Sequence, residues 1–204
     1  MRDTYEHVGA PRPKRLWSEW LDPSRPIPRA SSLPSSPSFK PLGFAWKALE
    51  KGHHLGFIAA SDHISTHISY GFLVAEQLTP ESLLEAVRAR RTYGATDNII
   101  LDARFVGSDG EHLMGDVFES STPVSIKAEI VGTGEILQID LIKNGEVVHT
   151  TYPARREVTF VYTDSYGRIG ENYLYLRLIQ NNGEIAWGSP IWVTYSHSAD
   201  KNVK

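Results

Sequence analysis

The 204-residue sequence contains no cysteine, which removes disulfides, thiolate metal ligands and cysteine nucleophiles from the chemistry open to it. No apolar run is long enough to span a bilayer, and the N-terminus lacks the apolar segment expected of a signal peptide. Neither sign of charge dominates. Twenty-one Lys and Arg against 24 Asp and Glu leave a net charge of −3, so neither nucleic acid nor an anionic membrane is an expected partner. What remains is a globular composition, 41% hydrophobic and 22% charged, in a chain long enough for one or two ordinary domains. The absence of cysteine suits the cytosol and an export compartment equally, so localisation stays open.

Leu55 to His67, LGFIAASDHISTH, organises the rest. An apolar run (Leu55, Phe57, Ile58, Ala59, Ala60) stops at Ser61-Asp62-His63, and His67 follows four residues later. The run has the length of a buried strand. Polar residues gather where that strand would emerge, and in α/β barrels and open α/β sheets the C-terminal ends of strands carry the chemistry. One carboxylate and one or two imidazoles suit a divalent metal such as zinc or manganese. The plainer reading stands beside it: Ser and Asp are also caps and turn residues, and a nearby His can be satisfied by a hydrogen bond. Neighbouring side chains on a strand face opposite ways, so Asp62 and His63 share a metal only if the chain turns there.

Residues 1–42 hold eight of the twelve prolines, with many serines and no sustained apolar period. They read as an extended loop laid over something else, or as an unstructured tail. A short helix is expected from Gly43 to Lys51, stopped by Gly52, and a strand from Ser69 to Gln77. Thr79-Pro80-Glu81 marks a helix start, with apolar residues Leu83, Leu84, Ala86 and Val87 up to about Arg91. The basic end of that helix, including Arg90 and Arg91, is either dipole-favoured cation placement or a phosphate contact. Asn98 to Val106 reads as another strand.

From about Leu113 the texture changes to short alternating runs: Val124–Ile130, Leu137–Lys143, Val147–Thr151, Glu157–Tyr162, Asn172–Gln180 and Glu184–Tyr195. Turn signals separate them, Asn144-Gly145 being the strongest hairpin cue. This spacing predicts an antiparallel sandwich of the immunoglobulin or fibronectin class. In YLYLRLIQ the leucines 174, 176 and 178 form the expected core face. The opposite face carries Tyr173 and Tyr175, which with Trp187 and Trp192 offer a ring platform if exposed or further packing if buried.

Several of these stretches together resemble a known family. They are Trp46–His63 (W-x-A-L-x-K-G-x-x-L-G-F-I-A-A-S-D-H), Ser65–Tyr70 (STHISY), Ala89–Thr96 (ARRTYGAT) and Gly183–Val193 (GEIAWGSPIWV). Their order and nearly full-length coverage resemble the C-terminal part of bacterial proteins of the polymerase and histidinol phosphatase (PHP) metallohydrolase superfamily. The branch they resemble is the uncharacterised one, in which a PHP-like barrel precedes a β-sandwich.

The resemblance implies an α+β fold. Residues 1–42 would be a Pro/Ser-rich loop, 43–111 the last part of a PHP-like α/β barrel, 112–196 an antiparallel immunoglobulin-like β-sandwich and 197–204 a tail. It also implies a divalent metal, Zn or Mn, with Asp62 and His63 as ligands and His67 as a substitute ligand or an acid–base group. Arg91 would orient an anionic substrate, a small-molecule phosphoester or ester. The family's usual Asp and His are separated by one residue, whereas here they are adjacent, so either His63 or His67 takes the ligand role. The family's first ligands come from an H-x-H pair, and none occurs here. The expectation is therefore a C-terminal portion with an incomplete site, inactive without its N-terminal half. The competing expectation is a non-catalytic sandwich that binds a glycan or a protein partner, and homo-oligomerisation is left open.

Overall fold

The computed structural model describes residues 45–60, 69–164 and 169–195. The Pro-rich stretch, the tail and Asp62, His63 and His67 lie outside the described residues. Strands dominate what is described, and every strand pair but one is antiparallel. Helix α1 (Ala45–Glu50) ends at Gly52, whose positive φ of 82° stops it. Strand β1 (Tyr70–Leu73) is followed by helix α2 (Pro80–Arg88), then β2 (Thr92–Ala95) and β3 (Ile100–Val106). Thr79 caps α2 by accepting a hydrogen bond from the Ser82 amide at 3.3 Å. Next come β4 (Glu111–Leu113), β5 (Val117–Ser120), β6 (Ser125–Lys143), β7 (Glu146–Thr151) and β8 (Arg155–Thr163). The chain closes with β9 (Gly170–Gln180), β10 (Ile185–Gly188) and β11 (Ile191–Tyr195).

The runs expected at Val124–Ile130 and Leu137–Lys143 are one strand, the 19-residue β6. Gly132-Thr133-Gly134 is a register shift inside it rather than a turn. There the Gln180 side chain accepts from the Gly134 amide at 2.9 Å and keeps the chain running on. The first half of β6 pairs with β3 and β8, the second half with β9 and β7. The sheet thereby curls and buries one face on itself. Leu101 and Phe105, Ile126 and Ile130, Leu141, Leu174, Leu176, Ile191 and Val193 meet in one core. Asn144-Gly145 makes the expected tight hairpin, with both residues at positive φ (50° and 81°).

A second apolar cluster covers the opposite face of β9 to β11. It joins Ala45 and Leu49 of α1 and Phe57 to Ile142, Tyr173, Tyr175, Ile179, Ile185, Trp187 and Trp192. Two covers explain the burial along β6. Its first half alternates buried and exposed, whereas residues 138–143 are buried on both faces. They also answer the question of the ring platform. Trp187 and Trp192 are each 1% exposed, and Tyr173 and Tyr175 are buried beside them, so these rings are packing and present no stacking surface.

Three expectations change. Leu55–Ala60 is extended but joins no sheet. Glu184–Tyr195 splits into β10 and β11 at Ser189-Pro190, where proline has no amide to give a ladder. Finally, β1, β2 and β3 belong to the same sheet as the strands after Leu113, so 111/112 is no break in the described fold. The β1–α2–β2 unit returns antiparallel, where an α/β barrel repeats parallel crossovers. A strand–helix–strand pattern alone does not fix the direction of return.

Candidate functional site

The approach to Ser61-Asp62-His63 is built from side chains of distant strands. The Ser189 hydroxyl, between β10 and β11, accepts from the Phe57 amide at 2.7 Å. Thr92 Oγ1 donates to the Phe57 carbonyl at 2.8 Å and lies 3.1 Å from Ser189 Oγ. With its own proton committed to the carbonyl, Thr92 can only accept from Ser189. Both polar groups of Phe57 are thus satisfied by hydroxyls, all within the interior. The Phe57 ring stands edge-on to Tyr175 at 5.3 Å, and the His54 ring lies tilted by 34° against Trp192 at 4.5 Å while its Nε2 lies 3.1 Å from Glu171.

Glycines make room for this crossing. A Cβ on Gly94 would lie 3.0 Å from both the Ala59 Cβ and its amide nitrogen, and one on Gly56 would lie 3.0 Å from Thr92 Oγ1. The segment lies directly on β2, and Phe57 is 2% exposed while Leu55 and Ile58 are 38% and 60% exposed. It leads straight into Asp62, His63 and His67, which lie outside the described residues.

The basic end of α2 is pinned within the chain. Arg90, at φ 59°, donates through Nε to the Gly115 carbonyl at 3.0 Å, and its guanidinium lies 5.5 Å from the Trp192 ring centre. Arg91 Nε is 3.8 Å from Asp116 Oδ1. A bound anion would therefore have to compete with Asp116 for Arg91. Asp116 also lies 4.0 Å from His112 Nδ1, and His112 Nε2 is 2.9 Å from Asp109. This hydrogen bond holds the Asp109 carboxyl below its usual range, and the imidazole stacks flat on Phe118 at 3.6 Å. Arg91, Asp116, His112 and Asp109 form a chain of polar contacts that ties the α2 end to the β3–β4 turn. In the sequence, the Asp109/His112 spacing is the signal for this contact.

Two clusters of polar side chains in the interior are paired, while the buried Trp187 Nε1 has no hydrogen-bond partner among the described residues. Asp140 meets Arg177 at 2.9 Å, Gln138 at 2.9 Å and Thr150 at 2.8 Å. Lys143 Nζ lies 2.6 Å from Asp164, to which Tyr195 also donates at 2.9 Å. Burial raises the Tyr195 phenol, with the Asp164 charge adding to the effect. Among the described residues no three His, Asp or Glu side chains converge as a metal-holding group, and no helix is long and apolar enough to cross a membrane.

The fold defines a predominantly antiparallel β protein with an apolar segment laid across one sheet face. No family model matches the sequence. An uncharacterized protein of Chlamydia muridarum is 26% identical over 195 residues, 82% of this chain and 31% of that protein. One from Chlamydia pneumoniae is 27% identical over 180 residues, 75% of this chain and 29% of its own length. A third, from Chlamydia trachomatis serovar D, is 25% identical over 195 residues, with 82% and 31% covered. The chain spans about a third of the length of these relatives.

Proposed function

We propose that this chain is the C-terminal part of a PHP-like metal-dependent hydrolase acting on phosphoesters or related esters. Asp62 and His63 would hold a divalent metal, Zn or Mn, and His67 would be a further donor or an acid–base group. The observation that carries the reading is the seating of residues 56–60. Apolar Leu55 and Ile58 are left exposed on a chain held at Phe57 by Thr92 and Ser189, and the Ser-Asp-His sequence follows at once. In this reading Leu55–Ala60 is a barrel strand whose neighbours belong to the longer protein, since β1, β2 and β3 are committed to the antiparallel sheet. The immunoglobulin-like assignment of 112–196 is supported by the core that residues of β6 and β8 share with those of β9 and β11.

One carboxylate and two imidazoles fit zinc or manganese by donor type, and further donors would come from the longer protein. A bound metal would supply an activated water. Near neutral pH an unprotonated His67 can take a proton, and Arg91, released from Asp116, can face an anion. The competing reading of a ring-lined glycan site receives no support from Tyr173, Tyr175, Trp187 and Trp192, which are buried.

Elemental analysis and calorimetry with Zn²⁺ and Mn²⁺ test the reading, on this chain and on Asp62→Ala. Binding that is lost in the variant is expected, with little or no ester hydrolysis by residues 1–204 alone. No binding by either protein, binding unchanged by Asp62→Ala, or robust metal-dependent turnover by this chain alone would overturn it.

A further inference from the structure

We infer that Lys143 and Asp164 join covalently in the folded protein, the lysine amine condensing with the aspartate carboxyl to an amide with loss of one water. The inference is independent of the metal site. Lys143 is the last residue of β6, where it pairs with Glu146 of β7 and Leu174 of β9. Asp164 follows β8, and its amide donates at 2.8 Å to the carbonyl of Val124, the residue ahead of β6. The curl of β6 therefore brings the two side chains together from its opposite ends. Lys143 Nζ lies 2.6 Å from Asp164 Oδ2, and the side chains are 7% and 3% exposed. Tyr195 encloses the pair. Its phenol accepts from the Val124 amide at 3.4 Å and donates to the same Oδ2 at 2.9 Å, while its ring centre lies 5.5 Å from Nζ.

A buried ion pair holds two charges out of water, and their attraction offsets that cost only in part. Condensation removes both charges. One proton passes from Nζ to Oδ2 along the contact already made, leaving an amine and a carboxylic acid. The Nζ lone pair then attacks Cγ, one C–O bond beyond that oxygen, and the C=O electron pair moves to Oδ1. A second proton passes from Nζ to Oδ2, the Cγ–Oδ2 bond breaks and water departs, with Oδ1 left as the amide oxygen. The Tyr195 hydrogen bond steadies Oδ2 as it leaves. An ammonium and a carboxylate thus become an amide and one water, with no change of oxidation state and no co-reactant. Groups oriented within one molecule react as if at roughly 10⁵ M or more, which is how two unactivated side chains can condense. The closed site then keeps water from reversing the step. The resulting amide would tie the two ends of β6 together through β8.

Intact mass tests the bond, measured on the full 204-residue chain after it has folded and then been denatured. The chain should be lighter than its sequence mass by one water, about 18 Da. A proteolytic digest should yield a branched peptide that carries both Lys143 and Asp164. Lys143→Arg keeps the positive charge but has no primary amine, and Asp164→Ala has no carboxyl. Each should show its full sequence mass and no branched peptide. The wild-type mass decides the matter even if either variant fails to fold. Full sequence mass in the folded wild-type chain, or a water loss that maps to other residues or persists in Lys143→Arg, would overturn the inference.

Discussion

Single residues here act mostly through burial. The Tyr93 hydroxyl donates to the Ile99 carbonyl at 3.1 Å and accepts from the Leu101 amide at 3.4 Å, and burial pushes its pKa from 10.0 up to about 12. The folded state then holds this proton more tightly than the unfolded state. Its contribution is whole below about pH 10 and is lost as pH rises towards about 12; Tyr195 moves in the same direction. Tyr93→Phe should cost roughly 1 kcal/mol at neutral pH yet lose less stability on going to about pH 11. Urea melts at the two pH values check this, and an unchanged alkaline slope would refute it. None of this was legible in the sequence, because the partners of Tyr93 depend on how tightly β2 packs against β3. Thr92 and Ser189 were equally silent: the residue they serve, Phe57, lies 35 and 132 positions away.

Elements set by local chemistry were legible. Thr79-Pro80 starts α2, Gly52 stops α1, and Asn144-Gly145 turns β6 into β7. Each depends on a cap, a fixed φ or a positive φ that neighbouring residues supply without help. Leu55–Ala60 was legible as extended and apolar but not as a segment outside any sheet. An apolar run states that it will be covered, not whether ladder bonds or hydroxyls will satisfy its backbone. The seat is specific to glycine at position 94, and Gly94→Ala should lift the segment and cost roughly 1–3 kcal/mol, as overpacking does. Thermal melts together with hydrogen exchange at the Phe57 amide read this; wild-type values in both would disprove the close contact as the reason for the glycine.

At the scale of the whole molecule, β6 and β9 make one cooperative body out of stretches that look separate. Since β1 to β3 are joined to β10 and β6, residues on the two sides of position 111 should unfold together in a single urea transition. Coincident far-ultraviolet dichroism and tryptophan fluorescence curves are expected, and an early transition confined to residues 69–111 would contradict the shared sheet. The sequence alone determined the β-rich character, most strand positions, the leucine core face of β9 and the absence of thiol chemistry, because period-two alternation, turn residues and composition act locally. Only the tertiary structure decided that β6 is continuous, that β9 is buried on both faces and that the aromatic face is interior. A strand's own pattern reports one covered face, whereas a second cover, here α1 and Phe57, arrives from chain far removed in sequence.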